Sequence, residues 1–326
     1  MPPEHENIPV INDAPPHALF SKELAGGLAA LSLFALLITA VLSSAESTPL
    51  PKVHVAAALE PEQNTSANLS LEARSAYVID LTTGDSLFAR NADVQLPLAS
   101  ITKIPLVLVA AEVLQLSENI TVSREATERG KDWGLETGAW VVQNLVDFTL
   151  VASSNAGAEA LAESADARLR AKYPHAPSGE AAVWRMNALA HELGLTKTYF
   201  LNPSGLDVSP TQASAFSSAR EIALLIAYAA KTQPELFAAT GRREATLGPL
   251  KGPKKPVIST NEALRDIPGL ILGKTGFTHL AGGNLAIVFE IEPLHPIAAV
   301  VLGSSDSGRF DDMRKLLGVI QTNLRR

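Results

Sequence analysis

Ser100 and Lys103 are the residues whose types and spacing are best suited to chemistry. They lie in the stretch Leu98 to Pro105, at the start of an apolar run that predicts a helix. Residues three apart on a helix are neighbours on one face, so the lysine amine can reach the serine hydroxyl. An amine that removes the hydroxyl proton turns the serine into a nucleophile without a histidine. On its own, the pair would also fit a helix-capping serine beside a solvated lysine.

A Ser-x-Asn pair in the middle of the chain, Ser153 and Asn155, is the second candidate. The pattern also occurs elsewhere in the chain, but only this copy falls where two predicted helices meet. A hydroxyl there could relay a proton, and an amide could hold either the lysine or a substrate carbonyl. We therefore place both residues at the candidate site because of their context.

Lys274, Thr275 and Gly276, near the C-terminal end, form the third candidate. They lie at the end of a predicted strand, where a cation and a hydroxyl could bind a substrate carboxylate. A glycine lets a substrate backbone approach the strand closely. The triplet alone could equally be an ordinary strand end followed by a turn. In the order Ser-x-x-Lys, Ser-x-Asn, Lys-Thr-Gly, the three patterns together are far more specific than any one of them.

The elements that must position these residues are strands at both ends of the chain and helices between them. Short strands around a Gly-containing turn are predicted at 75–81 and 86–90. Helices are predicted at 100–114, 143–153, 156–164, 184–193 and 218–231, and a helical stripe occurs at 310–324. Further strands are predicted at 270–275, 284–291 and 296–302, and a Gly/Pro/Lys loop at 247–256. This order predicts an α+β fold whose antiparallel sheet combines the N-terminal hairpin with the C-terminal strands.

The first part of the chain predicts a membrane anchor. Residues 1–23 are polar and proline-rich, which predicts a disordered leader. Residues 24–43 carry no charge and are numerous enough to cross a bilayer as one transmembrane helix. A cleaved signal peptide that ends near Ala45 is the alternative. Residues 44–70 predict a flexible linker, and 71–326 form the expected folded domain, exported in either case.

Composition disfavours several other classes of protein. The chain has 326 residues, 46% of them hydrophobic, and can bury a full core. Its net charge of −7 argues against nucleic-acid binding. It contains no cysteine, and its seven histidines are scattered without an H-E-x-x-H pattern, so we expect neither a metal nor another cofactor. The absence of G-x-S-x-G disfavours a Ser-His-Asp hydrolase.

From about Ala76 onward, the sequence resembles the D-alanyl-D-alanine carboxypeptidases among the low-molecular-weight penicillin-binding proteins. The three motifs are of the kind used by β-lactamases and penicillin-binding proteins. Four longer segments also match the family's forms: Leu98–Lys103, Phe200–Leu206, Ser217–Glu221 and Lys274–Thr278. The resemblance implies a β-lactamase/transpeptidase-like fold and a serine peptidase domain over 71–326.

The resemblance also implies a role for each site residue. Ser100 would attack the carbonyl between the two terminal D-alanines of a peptidoglycan stem peptide and form an acyl-enzyme. Lys103 would be the base, and burial together with a charged Lys274 would lower its pKa towards the neutral form. The N–H groups of Ser100 and Phe277 would form the oxyanion hole. Arg309 falls where the family places a carboxylate-binding arginine.

These roles imply a serine-type D-Ala-D-Ala carboxypeptidase of the bacterial cytoplasmic membrane, with its catalytic domain outside the cytoplasm. The expected partners are stem peptides that end in D-Ala-D-Ala, β-lactams as inhibitors, and the membrane through the N-terminal helix. Family members often continue into a C-terminal β-rich domain and an amphipathic helix. Here the chain stops after the predicted helix at 309–324, so we expect the N-terminal span to replace that anchor.

Three alternatives remain open on the sequence. A DD-endopeptidase or a β-lactamase would use the same acyl-serine chemistry, and a non-catalytic wall-binding protein would use only the fold. No Glu-x-x-Leu-Asn segment lies between the second and third motifs, which disfavours a class A β-lactamase. The retained nucleophile and both motif lysines disfavour a protein that only binds.

Overall fold

The computed structural model describes residues 69–131 and 134–324. The predicted leader at 1–23, the anchor at 24–43 and all of the linker before Leu69 lie outside the described residues. Within the described part, no helix is both long and apolar enough to cross a membrane.

The described residues form blocks of strands at both chain ends and helices between them. The strands are β1 (Ser75–Asp80), β2 (Ser86–Arg90), β3 (Leu96–Pro97), β4 (Asn119–Val122), β5 (Gly138–Val141), β6 (Tyr199–Phe200), β7 (Ala215–Ser217), β8 (Glu244–Leu247), β9 (Lys255–Ile258), β10 (Leu270–Thr278), β11 (Gly282–Glu292) and β12 (His295–Ser304). The α-helices are α1 (Lys103–Ala111), α2 (Arg124–Gly130), α3 (Val142–Val151), α4 (Asn155–Lys172), α5 (Ala181–Glu192), α6 (Ala219–Thr232), α7 (Pro234–Phe237) and α8 (Gly308–Leu324). Short 3-10 helices occur at Ala99–Thr102, Ala238–Gly241 and Glu262–Asp266.

A five-stranded antiparallel sheet made from both ends of the chain is the centre of the fold. Its spatial order is β10-β11-β12-β1-β2. Strand β1 lies between β12 and β2, with Ser75 opposite Leu302 and Ala76 opposite Arg90. The prediction that the N-terminal hairpin joins the C-terminal strands is therefore confirmed. Strand β10, which carries the third motif, lies at one edge of this sheet.

Both faces of the sheet are covered. Successive side chains of a strand point to opposite faces. Tyr77 and Ile79 of β1 therefore enter the larger core beside the helical middle of the chain. Ala76 and Val78 enter a second core beneath α8. The residues of α8 that close this second core are Phe310, Met313, Leu316, Leu317 and Ile320.

A buried carboxylate holds α8 in place. Asp312 is fully buried and accepts hydrogen bonds from the main-chain N–H groups of Glu72 (3.0 Å) and Ala73 (2.8 Å). It also accepts one from Ser304 Oγ at 2.7 Å, at the end of β12. Because Arg309 lies one turn earlier on α8, these bonds also fix the position of that arginine relative to the sheet.

The prediction omitted the short elements β3 to β9, α2 and α7, and the bounds of the predicted helices differ from the observed ones, most clearly in two of them. The helix predicted at 100–114 begins as the 3-10 turn Ala99–Thr102 and becomes α-helical only from Lys103 to Ala111. Helix α4 continues to Lys172, well beyond its predicted end. The loop predicted at 247–256 is confirmed for 248–254, where it joins β8 and β9 as a hairpin whose strands reach one or two residues into the predicted range.

Candidate active site

A fully buried lysine amine lies at the centre of the candidate site. Lys103 is the first residue of α1, and its Nζ donates a hydrogen bond to Ser100 Oγ at 2.7 Å. The same amine donates to Asn155 Oδ1 at 2.8 Å and to the main-chain oxygen of Ser204 at 2.6 Å. Its exposed fraction is 0%. The structure thus brings Ser100, Lys103, Asn155 and Ser204 together from three parts of the chain.

The junction of α3 and α4 positions the second motif. Ser153 has a φ of +59°, the left-handed conformation that commonly follows a helix and usually belongs to glycine. A serine there costs about 1–3 kcal/mol, and such strain is found mainly at functional sites. Ser154 caps α4 by accepting from Gly157 N at 2.9 Å, which makes Asn155 the first helical residue. The hydroxyl of Ser153 accepts a hydrogen bond from Lys274 Nζ at 2.7 Å.

Strand β10 passes directly over the turn that carries Ser100. A Cβ atom on Gly276 would lie 2.7 Å from Leu98 O and 3.2 Å from Ser100 N, so a larger residue would push the strand away. The close approach sets the main chain leading from Gly276 to Phe277 beside the N–H of Ser100. The Phe277 side chain is half exposed and the centre of its ring lies 5.8 Å from Arg309 Cζ, while its main-chain N–H is the group expected to face the substrate. Two such N–H groups are the usual donors of an oxyanion hole.

Lys274 and Thr275 supply the other polar groups of β10. Lys274 is buried, and besides Ser153 its amine contacts Thr275 O at 2.8 Å. The hydroxyl of Thr275 is 2.6 Å from that of Thr260, which follows β9. Thr260 was not among the predicted site residues, and its sequence context gives no signal for this contact.

Arg309 approaches the same strand from α8. Its Nη1 donates to Gly276 O at 3.2 Å and pairs with Asp306 Oδ1 at 2.8 Å. The side chain is largely buried, and its Nε has no hydrogen-bond partner among the described residues. Burial lowers the pKa of the guanidinium, and the carboxylates of Asp306 and Glu262 partly offset that effect. A buried guanidinium with an unused donor is well suited to bind a carboxylate.

The site concentrates positive charge on three buried side chains. Burial holds the pKa of Lys274 well below its usual range, and the positive charges of Lys103 and Arg309 lower it further. Two amines and a guanidinium close together favour an anionic ligand and disfavour a second proton on the lysines. The arrangement is suited to acyl transfer onto a serine from a substrate that carries a carboxylate.

The low pKa of Lys274 predicts a pH-dependent stability. The unfolded chain binds this proton more readily than the folded one, so the stability gained from Lys274 rises with pH up to the usual lysine range. We expect the melting temperature of wild type to rise relative to that of Lys274→Met as the pH is raised. Melting temperatures from pH 6 to 10 test this: the advantage of Lys274→Met should shrink as the pH rises. An advantage that is constant with pH would contradict the shifted pKa, and Lys231→Met, at an exposed lysine in the last turn of α6, is the matched control.

Ser204 was also missed as a site residue. It lies within Phe200–Leu206, whose family-like form was the only available signal. The hydrogen bond uses its main-chain oxygen, and no side-chain pattern in the sequence reveals such a contact.

Comparison with known protein families gives a match over most of the chain. The profile of D-alanyl-D-alanine carboxypeptidases, peptidase family S11, matches residues 62–306. The chain is 30% identical over 258 residues to D-alanyl-D-alanine carboxypeptidase DacF of Bacillus subtilis, covering 77% of this chain and 62% of that protein. It therefore spans about three fifths of the length of DacF. It is also 30% identical over 261 residues to a D-alanyl-D-alanine endopeptidase of Pseudomonas aeruginosa, covering 76% of each chain.

A solved structure shows the same overall fold. Penicillin-binding protein D2 from Listeria monocytogenes, in its ampicillin-bound form, superposes with a TM-score of 0.64 and 30% sequence identity. The match covers 77% of this chain and 98% of that one. The mixed α/β architecture is therefore that of a penicillin-binding protein.

Proposed function

The chain belongs to peptidase family S11, the D-alanyl-D-alanine carboxypeptidases, and from this we propose that it removes the terminal D-alanine of peptidoglycan stem peptides through an acyl-serine intermediate. The observation that carries the proposal is the buried Lys103 amine, 2.7 Å from the hydroxyl of Ser100. A buried amine is the arrangement that lets a lysine act as a base near neutral pH.

Acylation begins with Lys103 in its neutral form. Its lone pair takes the proton of Ser100 as Oγ attacks the carbonyl carbon between the two D-alanines. The N–H groups of Ser100 and Phe277 stabilise the resulting oxyanion. The C–N bond then breaks, the departing nitrogen takes up the proton held by Lys103, and D-alanine leaves. Asn155 accepts a hydrogen bond from Lys103 through its Oδ1, and its NH2 group can donate one to a substrate carbonyl.

Hydrolysis of the ester repeats the same proton transfers with water. Lys103 removes a proton from the attacking water, and the tetrahedral oxyanion forms in the same pair of N–H groups. When the ester bond breaks, Ser100 Oγ recovers its proton from Lys103 and the shortened peptide leaves. General acid–base help of this kind contributes about 10²–10⁴-fold to each step.

Arg309, Lys274 and Thr275 are the groups proposed to bind the terminal carboxylate. We expect Arg309→Ala to lower kcat/KM for D-alanine release by about 10–100-fold, since a hydrogen bond to a charged group contributes about 1.5–3 kcal/mol. Release of D-alanine from an N-acylated peptide ending in D-Ala-D-Ala measures the effect. Arg314→Ala, which removes an exposed arginine of the same helix, is the matched control.

Cross-link cleavage is the second candidate activity, and the similarity to an endopeptidase of Pseudomonas aeruginosa favours testing it. Loss of D-alanine release in Arg309→Ala with cleavage of cross-linked dimers intact would point to the endopeptidase. Equal loss of both activities would leave the carboxypeptidase as the main function.

The proposed function is tested with the full-length chain, the D-Ala-D-Ala peptide and excess benzylpenicillin. We expect release of D-alanine and a stable benzylpenicillin adduct in the intact mass. Penicillin hydrolysed without an adduct would indicate a β-lactamase. No adduct with the penicillin untouched, and no D-alanine released, would indicate a binding role.

The proposed place of action is the outer side of the bacterial cytoplasmic membrane. The uncharged run at 24–43 supports a single-pass anchor, and peptidoglycan lies on that side. N-terminal sequencing of the protein from membranes tests it: an intact leader supports the anchor, and a new N-terminus near Glu46 would indicate cleavage and secretion.

A further inference from the structure

The loop at 202–207 touches both the amine and the turn of the nucleophile. Ser204 O accepts from Lys103 Nζ at 2.6 Å, and the Ser204 residue is buried. Gly205 has a φ of +81°, and a Cβ on it would lie 2.0 Å from Ala99 O and 2.9 Å from Thr102 Oγ1. The loop is therefore pressed against the 3-10 turn that holds Ser100, and its carbonyl reaches the amine across that contact.

The side chain of Asn202 closes this loop on itself. Its Oδ1 accepts from Gly205 N at 2.8 Å, and its Nδ2 donates to Leu206 O at 2.8 Å. The first bond holds the N–H of the same peptide unit that carries the Ser204 carbonyl, and the second holds the chain two peptides further along. Without them, the direction of that carbonyl would depend on the contact of Gly205 alone.

Asp207 ties the same loop to the far end of β10. Its Oδ1 accepts from Thr278 Oγ1 at 3.0 Å, and its Oδ2 lies 3.4 Å from Leu280 N. Thr278 immediately follows Phe277, whose N–H is a proposed oxyanion donor. One short loop therefore contacts the base, the turn of the nucleophile and the strand of the oxyanion hole.

We propose that Asn202 and Asp207 are positioning residues for acylation: Asn202 aims the Ser204 carbonyl at the Lys103 amine, and Asp207 fixes the loop to the end of β10. The inference rests on the proposed acyl-serine function and extends it to residues that touch neither substrate nor reacting atoms.

The geometry of a neutral amine explains why the carbonyl matters. A neutral lysine has two N–H donors and one lone pair, whereas the protonated form has three donors. If its two N–H groups go to Asn155 Oδ1 and Ser204 O, the lone pair is left pointing at Ser100 Oγ. Losing either acceptor lets the amine rotate, and the lone pair then spends less time towards the hydroxyl.

The same geometry gives a signature in the pH profile. The hydrogen bond to Ser204 O favours the charged amine more than the neutral one, because bonds from charged donors are stronger. Weakening this hydrogen bond should lower the pKa of the amine. The rise of the acylation rate with pH (the acidic limb) should then occur at lower pH, and the maximal rate (the plateau) should fall. The charged groups near Lys103 are Lys274 of β10 and Glu159 of α4, and the tested variants change neither.

The first test compares Asn202→Ala with Asn187→Ala. Asn187, on α5, also uses both ends of its amide, bonding Phe200 N and O as well as Val183 O, but it lies outside the loop. We expect Asn202→Ala to lower the plateau rate of benzylpenicillin acylation by about 10–100-fold and to shift the acidic limb down in pH. Asn187→Ala should lower the melting temperature but keep both the plateau and the limb.

The second test compares Asp207→Asn with Asp207→Ala. Asparagine retains an oxygen that can accept from Thr278, so it should keep most of the acylation rate. Alanine removes that acceptor, and we expect a loss of about tenfold or more. Equal losses in both variants would mean that the charge, and not the tie to β10, is what matters.

The outcomes separate this inference from the proposed function. If wild type fails to form an adduct, the acyl-serine function itself is wrong. If wild type reacts and Asn202→Ala matches Asn187→Ala in plateau and limb, the positioning role of Asn202 is overturned alone. If Asn202→Ala does not fold, Asn202→Ser takes its place; it keeps a hydroxyl near Gly205 N but loses the bond to Leu206 O, so we expect a smaller shift in the same direction.

Discussion

Ser100→Ala is expected to abolish the covalent adduct with benzylpenicillin completely. The variant lacks the only atom at this position that can form the ester, whereas the buried lysine and the oxyanion donors remain. The variant should still fold, because the substitution removes one hydrogen bond, worth about 0.5–1.5 kcal/mol between neutral groups. Intact mass after prolonged incubation measures the adduct, and a melting curve confirms that the variant is folded.

Ser153→Ala is the matched control, because the structure contains two serine–lysine pairs of the same geometry. Ser153 Oγ lies 2.7 Å from Lys274 Nζ, as Ser100 Oγ does from Lys103 Nζ. We expect Ser153→Ala to react more slowly but still to carry the adduct. An adduct that persists in Ser100→Ala and disappears in Ser153→Ala would exchange the roles of the two serines.

Lys103→Met is expected to slow acylation by about 10²–10⁴-fold, the usual contribution of a general base. Methionine nearly matches the volume of lysine and suits a fully buried position, but it has no lone pair of comparable basicity. The substitution leaves Asn155 Oδ1 and Ser204 O without this donor, so some loss of stability accompanies the loss of rate. The second-order rate of adduct formation, measured below the melting temperature of the variant, gives the effect.

Lys103→Arg separates the loss of the base from the loss of the charge. A guanidinium stays protonated at every accessible pH, so it keeps the charge and cannot remove a proton. We expect Lys103→Arg to be acylated as slowly as Lys103→Met. The control, Lys172→Met at a partly exposed lysine of α4, should react like wild type. A Lys103→Met rate within about tenfold of wild type would show that another group is the base.

Much of the fold follows from patterns that are local in the sequence. The alternation around Tyr77 and the apolar runs of β10, β11 and β12 predicted the sheet. The pattern of apolar residues indicates which strand positions are buried, and the turn residues indicate where each strand ends. The spacing of Phe310, Met313 and Leu317 likewise predicted α8. The motif residues Ser100 and Lys103 were found because their contact spans a single turn.

Contacts between distant segments could not be predicted in this way. The amine of Lys103 meets a main-chain oxygen of Ser204, and every residue has such an oxygen, so no residue type marks it. Thr260 reaches Thr275 although 15 residues separate them in the sequence. Strands β8 and β9 were not predicted because each has only four residues, whereas the Gly, Pro and Lys residues between them did predict the connecting loop.

The place of β1 between β2 and β12 has a consequence for folding of the chain during its synthesis. Ser75 pairs with Leu302, so a ribosome must make nearly the whole domain before the central strand has both neighbours. At common rates of synthesis this wait is on the order of 10 s, during which β1 can pair only with β2, and an isolated hairpin is marginally stable. Until β12 is made, the edge of β1 that will pair with it stays open, and an open apolar strand edge favours aggregation.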